Sequence, residues 1–501
     1  MKNLVLLDWI KLNKYDNFKK DFLIFLAVHF FVWSLIPLFR NNIPMDSIEA
    51  IVWGINGGWM TNKHPPFSGF IADIFFRIFL EKDIAVYILS QLFVLVGFVY
   101  IYKIARLFLN KKNSILSVLM LEGVIYYGFT SIEFNVNVIS LALWPATVYY
   151  FYRALNKDRI KYWLILGLLV GINVLNKYSC INLFFGMFIY LLINKENRKY
   201  FLNKNLYIAG IIALIISLPH IYCLYKTNFI VFEYFKSRSV FSKNLGLFAN
   251  IVFPLKFLLS QLFAGLGSVL IFFTTYFYSK KEKINVSQKN LVFIFCMSVL
   301  PIFATILPSI ISGVKIKSMW GTPLLYMLTV SLFSFFPFNL SDNTYRKIRN
   351  FVYVVMFIIA ISFVASVFFC KSMRINFPRE KFINDIYSSW SEDTNNSKLK
   401  YVMGDVWYTS ILSVYSKDRP EVIYNIDRHY KNRLTNEELE KNGVLIVGTN
   451  KNEVLSFQER FNIKGQIDEY GFYTKNILGK KKDYILYYSI VSPNKIGEKN
   501  D

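Results

Sequence analysis

Apolar runs recur along the first 370 residues, separated by short segments rich in Lys and Arg. A helix that crosses a bilayer needs roughly 17–25 mostly apolar residues. Stretches of that kind lie at 22–38, 84–108, 114–130, 136–155, 162–178, 179–193, 206–225, 251–278, 291–312, 319–337 and 350–370. They predict about eleven spans, with eleven to thirteen as the range. Segment 39–83 stands out between the first two runs. It carries Pro44, Pro65 and Pro66, and its apolar stretches are too short to cross. Short amphipathic helices lying at the membrane surface are the expected form. Segment 226–248 is a second stretch of that kind.

Past residue 370 the pattern changes. Tyr401–Val406, Glu421–Tyr424, Val444–Val447 and Tyr484–Val491, rich in Val, Ile and Tyr, predict strands. Trp407–Tyr415 and Asn452–Phe461 predict helices. About 130 residues is enough for one small domain. The expected fold is an α-helical polytopic membrane protein over 1–370 with a small C-terminal extracytoplasmic α/β domain over 371–501.

Composition supports this division. The chain has 501 residues, 54% of them hydrophobic and 18% aromatic. One soluble core rarely grows past about 250–300 residues. An ordinary soluble enzyme, a disordered chain and a disulfide framework are excluded. Cys180, Cys223, Cys296 and Cys370 lie in or beside apolar runs and form no CxxC, so they read as small packing residues. The first apolar run has no small-residue cleavage site and reads as a retained signal-anchor.

The net charge is +24, of which residues 1–370 contribute +21. A basic chain invites a nucleic-acid reading, but this excess sits in the short loops between apolar runs. With the N-terminus in the cytoplasm, the inner segments carry 24 Lys and Arg and the outer ones 11. That is the positive-inside asymmetry of a membrane protein. Nucleic acid is not an expected partner; the bilayer is. An odd number of spans places 371–501 on the outer face together with 39–83.

The candidate chemistry gathers on that outer face. Asp46 and Glu49 are three residues apart, which puts them on one side of a helix. Such a pair can supply a general base and the group that orients it; a polar start to a loop is the plainer reading. Lys63 and His64 precede two prolines that fix the backbone, which suits either phosphate binding or a stiff return to the bilayer. Glu133, Asn135 and Asn137 fall at a junction between spans, as a hydroxyl-recognising set or as a helix cap. Lys177, Arg238, Lys315 and Lys317 are cations at outer ends, against the charge trend, and call for anionic partners. Glu122 falls within an apolar run, either functional or a protonated hydrogen-bond donor. His220, after Pro219, reads as structural. No metal-ligand spacing and no phosphate-cradling glycine loop is present.

Together these stretches resemble a known family. Asp46-Ser-Ile-Glu49, Trp53-Gly54 and Lys63-His64-Pro65-Pro66-Phe67 resemble the first outer loop of the GT-C glycosyltransferases, the superfamily of the protein O-mannosyltransferases. The bacterial branch of aminoarabinose-to-lipid-A transferases and rhizobial galacturonosyltransferases is the nearer likeness. Glu133-Phe-Asn135-Val-Asn137 with Trp144 and Tyr152-Arg153-Ala154-Leu155 resembles its second outer motif. Trp163 to Gly167, Gly171 and Leu175-Asn-Lys177-Tyr178 resemble the following helix, and Lys315-Ile-Lys317-Ser-Met-Trp320-Gly-Thr-Pro323 a later segment. In the tail, Gly404-Asp405-Val-Trp407 and Asp418-Arg419-Pro420 look like the branch's outer domain. Aminoarabinose transferases carry Glu-Lys before the prolines. Lys-His here favours the other subgroup.

The resemblance implies transfer of a single sugar from a polyprenyl-phosphate donor to an outer-leaflet glycolipid such as lipid A or lipopolysaccharide core, at the inner membrane of a bacterium. It implies Asp46 as general base with Glu49 as its partner. Lys63, His64, Lys177, Arg238, Lys315 and Lys317 would bind donor phosphate. Trp53, Glu133, Asn135, Asn137 and Trp320 would bind acceptor or sugar. No cofactor and no metal is expected. A transporter or flippase of a lipid-linked precursor, and an assembly subunit with an outer binding domain, are the competing readings.

Overall fold

The computed structural model describes residues 17–61, 63–229, 231, 246–369, 373–424, 434–475, 479 and 481–493. The helical part opens with α1 (Asn17–Leu35). Two short helices, α2 (Met45–Asn56) and α3 (Phe67–Ile78), follow where 39–83 was expected to form them. Then come α4 (Ile84–Phe108), α5 (Lys111–Leu119), α6 (Val136–Lys157), α7 (Ile160–Asn176), α8 (Cys180–Ile193) and α9 (Lys204–Lys226). The series closes with α10 (Ala249–Phe277), α11 (Gln288–Ser298), α12 (Leu300–Ser312), α13 (Leu328–Phe335) and α14 (Asp342–Phe369).

Among the described residues five stretches are long and apolar enough to cross a membrane: Phe18–Phe39, Ile84–Phe108, Lys204–Lys226, Gly246–Phe277 and Asp342–Phe369. α11 and α12, bent by 41° at their junction, make a sixth if they form one span. α7 and α8 are apolar but shorter. Besides the bent pair over 291–312, two more of the runs expected as spans are not single helices. In 114–130, α5 stops at Leu119 and gives way to a 3-10 turn, Met120–Gly123. Gly123 runs so close to α10 that a Cβ there would lie 2.3 Å from the Ser268 nitrogen. In 319–337, a 3-10 segment, Ser318–Met327, precedes α13; Pro323 within it has no N–H for an α-helical bond.

Glu122 sits in that first break. The carboxylate does not stand alone, as its isolation in the sequence had suggested: His29 Nδ1 on α1 contacts Glu122 Oε1, and both side chains are fully buried. His29 Nε2 lies 3.1 Å from Gln91 Oε1 on α4, and Gln91 Nε2 donates to Ser131 Oγ at 3.1 Å. A lone buried polar group costs several kcal/mol in hydrocarbon, on the order of 2–7. Here His29, Gln91, Ser131 and Glu122 Oε1 partner one another, and Glu122 Oε2 is buried without a hydrogen-bond partner. Cys180 and Cys296 are buried and free, as expected for packing residues, and Cys223 is partly buried; Cys370 lies outside the described residues.

α2 and α3 cross at glycines. A Cβ on Gly54 would lie 2.3 Å from Asp73 Cβ and 2.4 Å from the Gly69 carbonyl oxygen. No larger residue permits that approach.

The tail forms one five-stranded sheet: β1 (Tyr401–Gly404), β2 (Glu421–Tyr424), β3 (Val444–Gly448), β4 (Asp468–Lys475) and β5 (Lys481–Val491), in the order β2-β1-β3-β5-β4. β1 pairs in parallel with β2 and β3, with Val402 opposite Val422 and Leu445. β5 runs antiparallel to β3 and β4. α15 (Arg379–Asp393), α16 (Val406–Tyr415), α17 (Asn436–Asn442) and α18 (Lys451–Phe461) accompany it. The four expected strands and two expected helices are present within a few residues; β4, α15 and α17 were not anticipated.

The sheet unit packs on the 39–83 segment. Ile48, Val52 and Trp53 of α2 share one apolar core with Phe377, Trp407 and Ile411. Asp83 is held by Arg379 Nη1 and by the Tyr415 hydroxyl, at 2.9 and 2.7 Å. Asn42 Nδ2 donates to the carbonyls of Arg374 and Phe377 at 3.1 and 3.0 Å.

Candidate active site

Pro44 precedes α2 with extended backbone, and the helix starts at Met45. Asp46 therefore lies in the first turn, where a carboxylate is favoured by the helix dipole and where backbone N–H groups have no partner within the helix. Glu133 supplies that partner: its Oε1 accepts the Asp46 N–H at 3.0 Å. Asn135 does two things at once. Its Nδ2 donates to Asp46 Oδ2 at 3.3 Å, and its Oδ1 caps α6 by accepting from the N–H groups of Asn137 and Val138 at 2.8 and 3.3 Å. The helix cap offered as the plainer reading is present, and the same side chain also reaches Asp46.

Lys177 follows α7 directly. Asn176 pins that helix end, donating to the Val136 carbonyl at 2.9 Å and to Ser140 Oγ at 3.0 Å. The Lys177 ammonium donates to Asn137 Oδ1. It is buried, and burial brings its pKa down to about 8 against the pull of the nearby Asp46 carboxylate. Protonated near neutral pH, it is a desolvated cation next to the acids.

The turn before the two prolines is stapled by Thr61. Thr61 Oγ1 accepts from the Lys63 and His64 N–H groups at 3.2 and 2.9 Å and donates to the His64 carbonyl at 2.8 Å. His64 stands edge-to-face on Trp53, with centroids 5.7 Å apart. Burial first, then Lys177 and Lys63, lowers its pKa to about 3. It is a neutral imidazole at pH 7, a hydrogen-bond donor and acceptor but not a cation. Lys63 Nζ pairs with the buried Glu49 carboxylate.

The seven acids expected on the outer face before residue 371 fall into two groups. Asp73 and Glu81 pair with Arg419, Asp73 also with Arg77, and Asp83 with Arg379. Glu233 lies outside the described residues. Asp46, Glu49 and Glu133 are left beside the cations. Burial and the neighbouring Asp46 charge push Glu133 up to about 7, opposed by the Asp46 N–H and by Arg40 and Arg374.

Arg40, Arg374 and Thr61 were not anticipated. Thr61, three residues before His64, carries the signal of a side-chain-stapled turn; the arginines carry none locally. Lys317 and Trp320 frame the start of the 3-10 segment that packs on α6, and Lys315 is exposed. Their segment thus reaches the helix that Asn135 caps, while Asp46, Glu133, Asn135, Asn137 and Lys177 form a continuous set of contacts. Arg238 lies outside the described residues. His220 has a structural place: Nδ1 is 2.7 Å from the Trp59 carbonyl oxygen and Nε2 2.9 Å from the Tyr178 hydroxyl. Among the described residues no group of three or more His, Cys, Asp or Glu side chains is placed to hold a metal ion.

Residues 63–223 match the family model of dolichyl-phosphate-mannose-protein mannosyltransferases. Two crystal structures of ArnT from Cupriavidus metallidurans share the fold. The one bound to undecaprenyl phosphate is 12% identical, with a TM-score of 0.61 over 93% of this chain and 97% of that one. The apo structure is 11% identical, with a TM-score of 0.62 over 97% and 98%. No curated protein matches by sequence. The chain thus shares the ArnT fold along almost all of its length, and residues 63–223, about a third of it, are similar to that mannosyltransferase family.

Proposed function

We propose that this protein moves one sugar from a polyprenyl-phosphate donor, of which undecaprenyl phosphate is the lipid part, to an outer-leaflet glycolipid such as lipid A or lipopolysaccharide core. The observation that carries this reading is the joining of Asp46, Glu133, Asn135, Asn137 and Lys177 by direct contacts, with Lys63 and His64 on the adjoining turn. Undecaprenyl phosphate bound to ArnT, which has the same fold, supports the choice of lipid. In this reading the N-terminus is cytoplasmic in a bacterial inner membrane, and the site and the tail face the periplasm.

The reaction is a single displacement with inversion. The acceptor O–H gives its proton to an Asp46 carboxylate oxygen as the acceptor oxygen bonds to the anomeric carbon. The bond from that carbon to the phosphate oxygen breaks, and its electron pair leaves on polyprenyl phosphate. Asn135 and the Glu133 contact to the backbone hold Asp46 in place. Lys177 faces the departing charge from a buried position, where an ammonium acts far more strongly than in water. His64 donates an N–H to the same phosphate. Lys63 needs release from Glu49 to do so, and an incoming phosphate is a suitable competitor. The leaving group is already an anion, so the reading requires no metal.

The test is purified protein with radiolabelled undecaprenyl-phosphate sugars and bacterial glycolipid. Label in the glycolipid with release of undecaprenyl phosphate is expected from the natural chain and not from Asp46→Asn. Transfer at the natural rate by Asp46→Asn would remove the base assignment. Uptake of the intact donor into the opposite leaflet without bond cleavage would favour a flippase.

A further inference from the structure

Four consecutive residues of the tail hold both short helices of the 39–83 segment. Arg419 Nη2 donates to Asp73 Oδ1 and Nη1 to Glu81 Oε1, so a single guanidinium spans α3 and the turn behind it. Three residues on, the Val422 N–H donates to Asn56 Oδ1, and Asn56 Nδ2 donates to the Val422 carbonyl, both at 2.9 Å. The last residue of α2 thereby pairs with β2 as a neighbouring strand residue would.

Arg419 is not there by relaxed geometry. Its φ is +46°, in the left-handed region, and Pro420 follows it. A non-glycine residue at such a φ is disfavoured, and it persists where its surroundings over-determine it. Two carboxylates and the Phe76 ring, 5.9 Å from the guanidinium carbon, do so here.

The supports lead toward the site. Asp73 is the side chain that Gly54 touches at the crossing of α2 and α3. Arg419 thus fixes the residue against which the last turn of α2 rests at Gly54, while Val422 fixes its final residue, Asn56. Asp46 and Glu49 project from the same helix. The geometry points to Arg419 as a positioning residue, and to Arg419–Val422 as a clamp by which the C-terminal sheet sets where α2 presents Asp46 to Lys177. Its effect on sugar transfer rests on the function proposed above; its mechanical effect on α2 and α3 does not.

The experiment is hydrogen exchange by mass spectrometry on the full chain in detergent micelles, alongside the transfer assay. Arg419→Ala is expected to speed exchange in Met45–Asn56 and Phe67–Ile78 by about tenfold while Ile84–Phe108 and Val136–Lys157 are unchanged. Transfer is expected to fall by about 100-fold, because the base is misplaced, with the half-saturating concentration of undecaprenyl phosphate unchanged. Arg419→Lys, which keeps the cation, is expected to restore most of both. Asn56→Ala, which strands no buried charge, is expected to loosen α2 alone. Natural exchange in α2 and α3 in both alanine variants, or faster exchange throughout the chain in both, overturns the clamp. If the natural chain neither binds undecaprenyl phosphate nor transfers sugar, the functional reading falls, and the exchange arm still decides the clamp.

Discussion

The Glu133 carboxylate accepts the backbone N–H of Asp46 at 3.0 Å, across 87 residues of sequence. The bond ties the start of α2 to the segment that enters α6, and it places the two acids side by side at the N-terminal ends of α2 and α6. In the proposed reaction Asp46 is the base and Glu133 the group that orients it. Asn135 donates to the Asp46 carboxylate, and the Lys177 cation stands near it. Burial and the Asp46 charge push the Glu133 carboxyl up to about 7. Asp46→Asn is expected to lower transfer by about 10²–10⁴-fold, the usual contribution of a positioned base. Glu133→Gln keeps an acceptor for the Asp46 N–H and is expected to cost less. Initial rates of label transfer check the order; a larger loss in Glu133→Gln would exchange the two roles.

The same groups set a pH dependence. As pH rises through about 7 Glu133 gains negative charge, and through about 8 Lys177 loses its positive charge. Both steps oppose an anionic ligand. Binding of undecaprenyl phosphate, followed by tryptophan fluorescence, is expected to weaken between pH of about 6 and about 9. Glu133→Gln is expected to abolish the lower step and keep the upper one. An affinity flat across that range contradicts the placement of both groups next to the ligand.

The Gly54 crossing makes a steric prediction. Gly54→Ala drives a methyl group into Asp73 Cβ and the Gly69 carbonyl. The helices must part, at a cost of about 1–3 kcal/mol, and Asp46 moves with α2. Activity is expected to fall by about 100-fold in protein that still folds, as judged by size-exclusion and thermal unfolding in micelles. Full activity in Gly54→Ala would show that the crossing tolerates expansion.

The buried pair of Glu122 and His29 makes a stability prediction. Glu122→Ala leaves an imidazole without its carboxylate partner in the bundle and is expected to destabilise the chain by about 3–5 kcal/mol. Glu122→Gln keeps a hydrogen-bond partner for His29 and is expected to cost less. Thermal unfolding of both variants in micelles checks this, and equal losses would remove the special role of the pair.

The sequence made local features legible. Asp46, Glu49 and the Lys63-His64-Pro65-Pro66 turn lie within 21 residues, a stretch compact enough for its resemblance to the first outer loop of the GT-C enzymes to be read. The short continuous apolar run Val444–Val447, ended by Gly448, marks a buried strand in the same local way. Partners far along the chain were not legible. Arg419 meets Asp73 across 346 residues and His29 meets Glu122 across 93, and no periodicity encodes either. β4 was missed because it opens on two acids, Asp468 and Glu469, and carries Gly471 and the exposed Tyr473 within it, so its apolar alternation is weak. The run 114–130 was taken for a span because apolar content alone does not distinguish a helix from a buried turn; the polar residues Glu122 and Ser131, which find partners on α1 and α4, decide it.

The most direct measurement is mass spectrometry of lipid A and core glycolipid from cells producing equal amounts of the natural chain and of Asp46→Asn. One sugar-sized increment present with the natural chain and absent with the variant is the predicted result. An identical lipid profile in both, whether with the increment or without it, contradicts transfer to these glycolipids with Asp46 as the base.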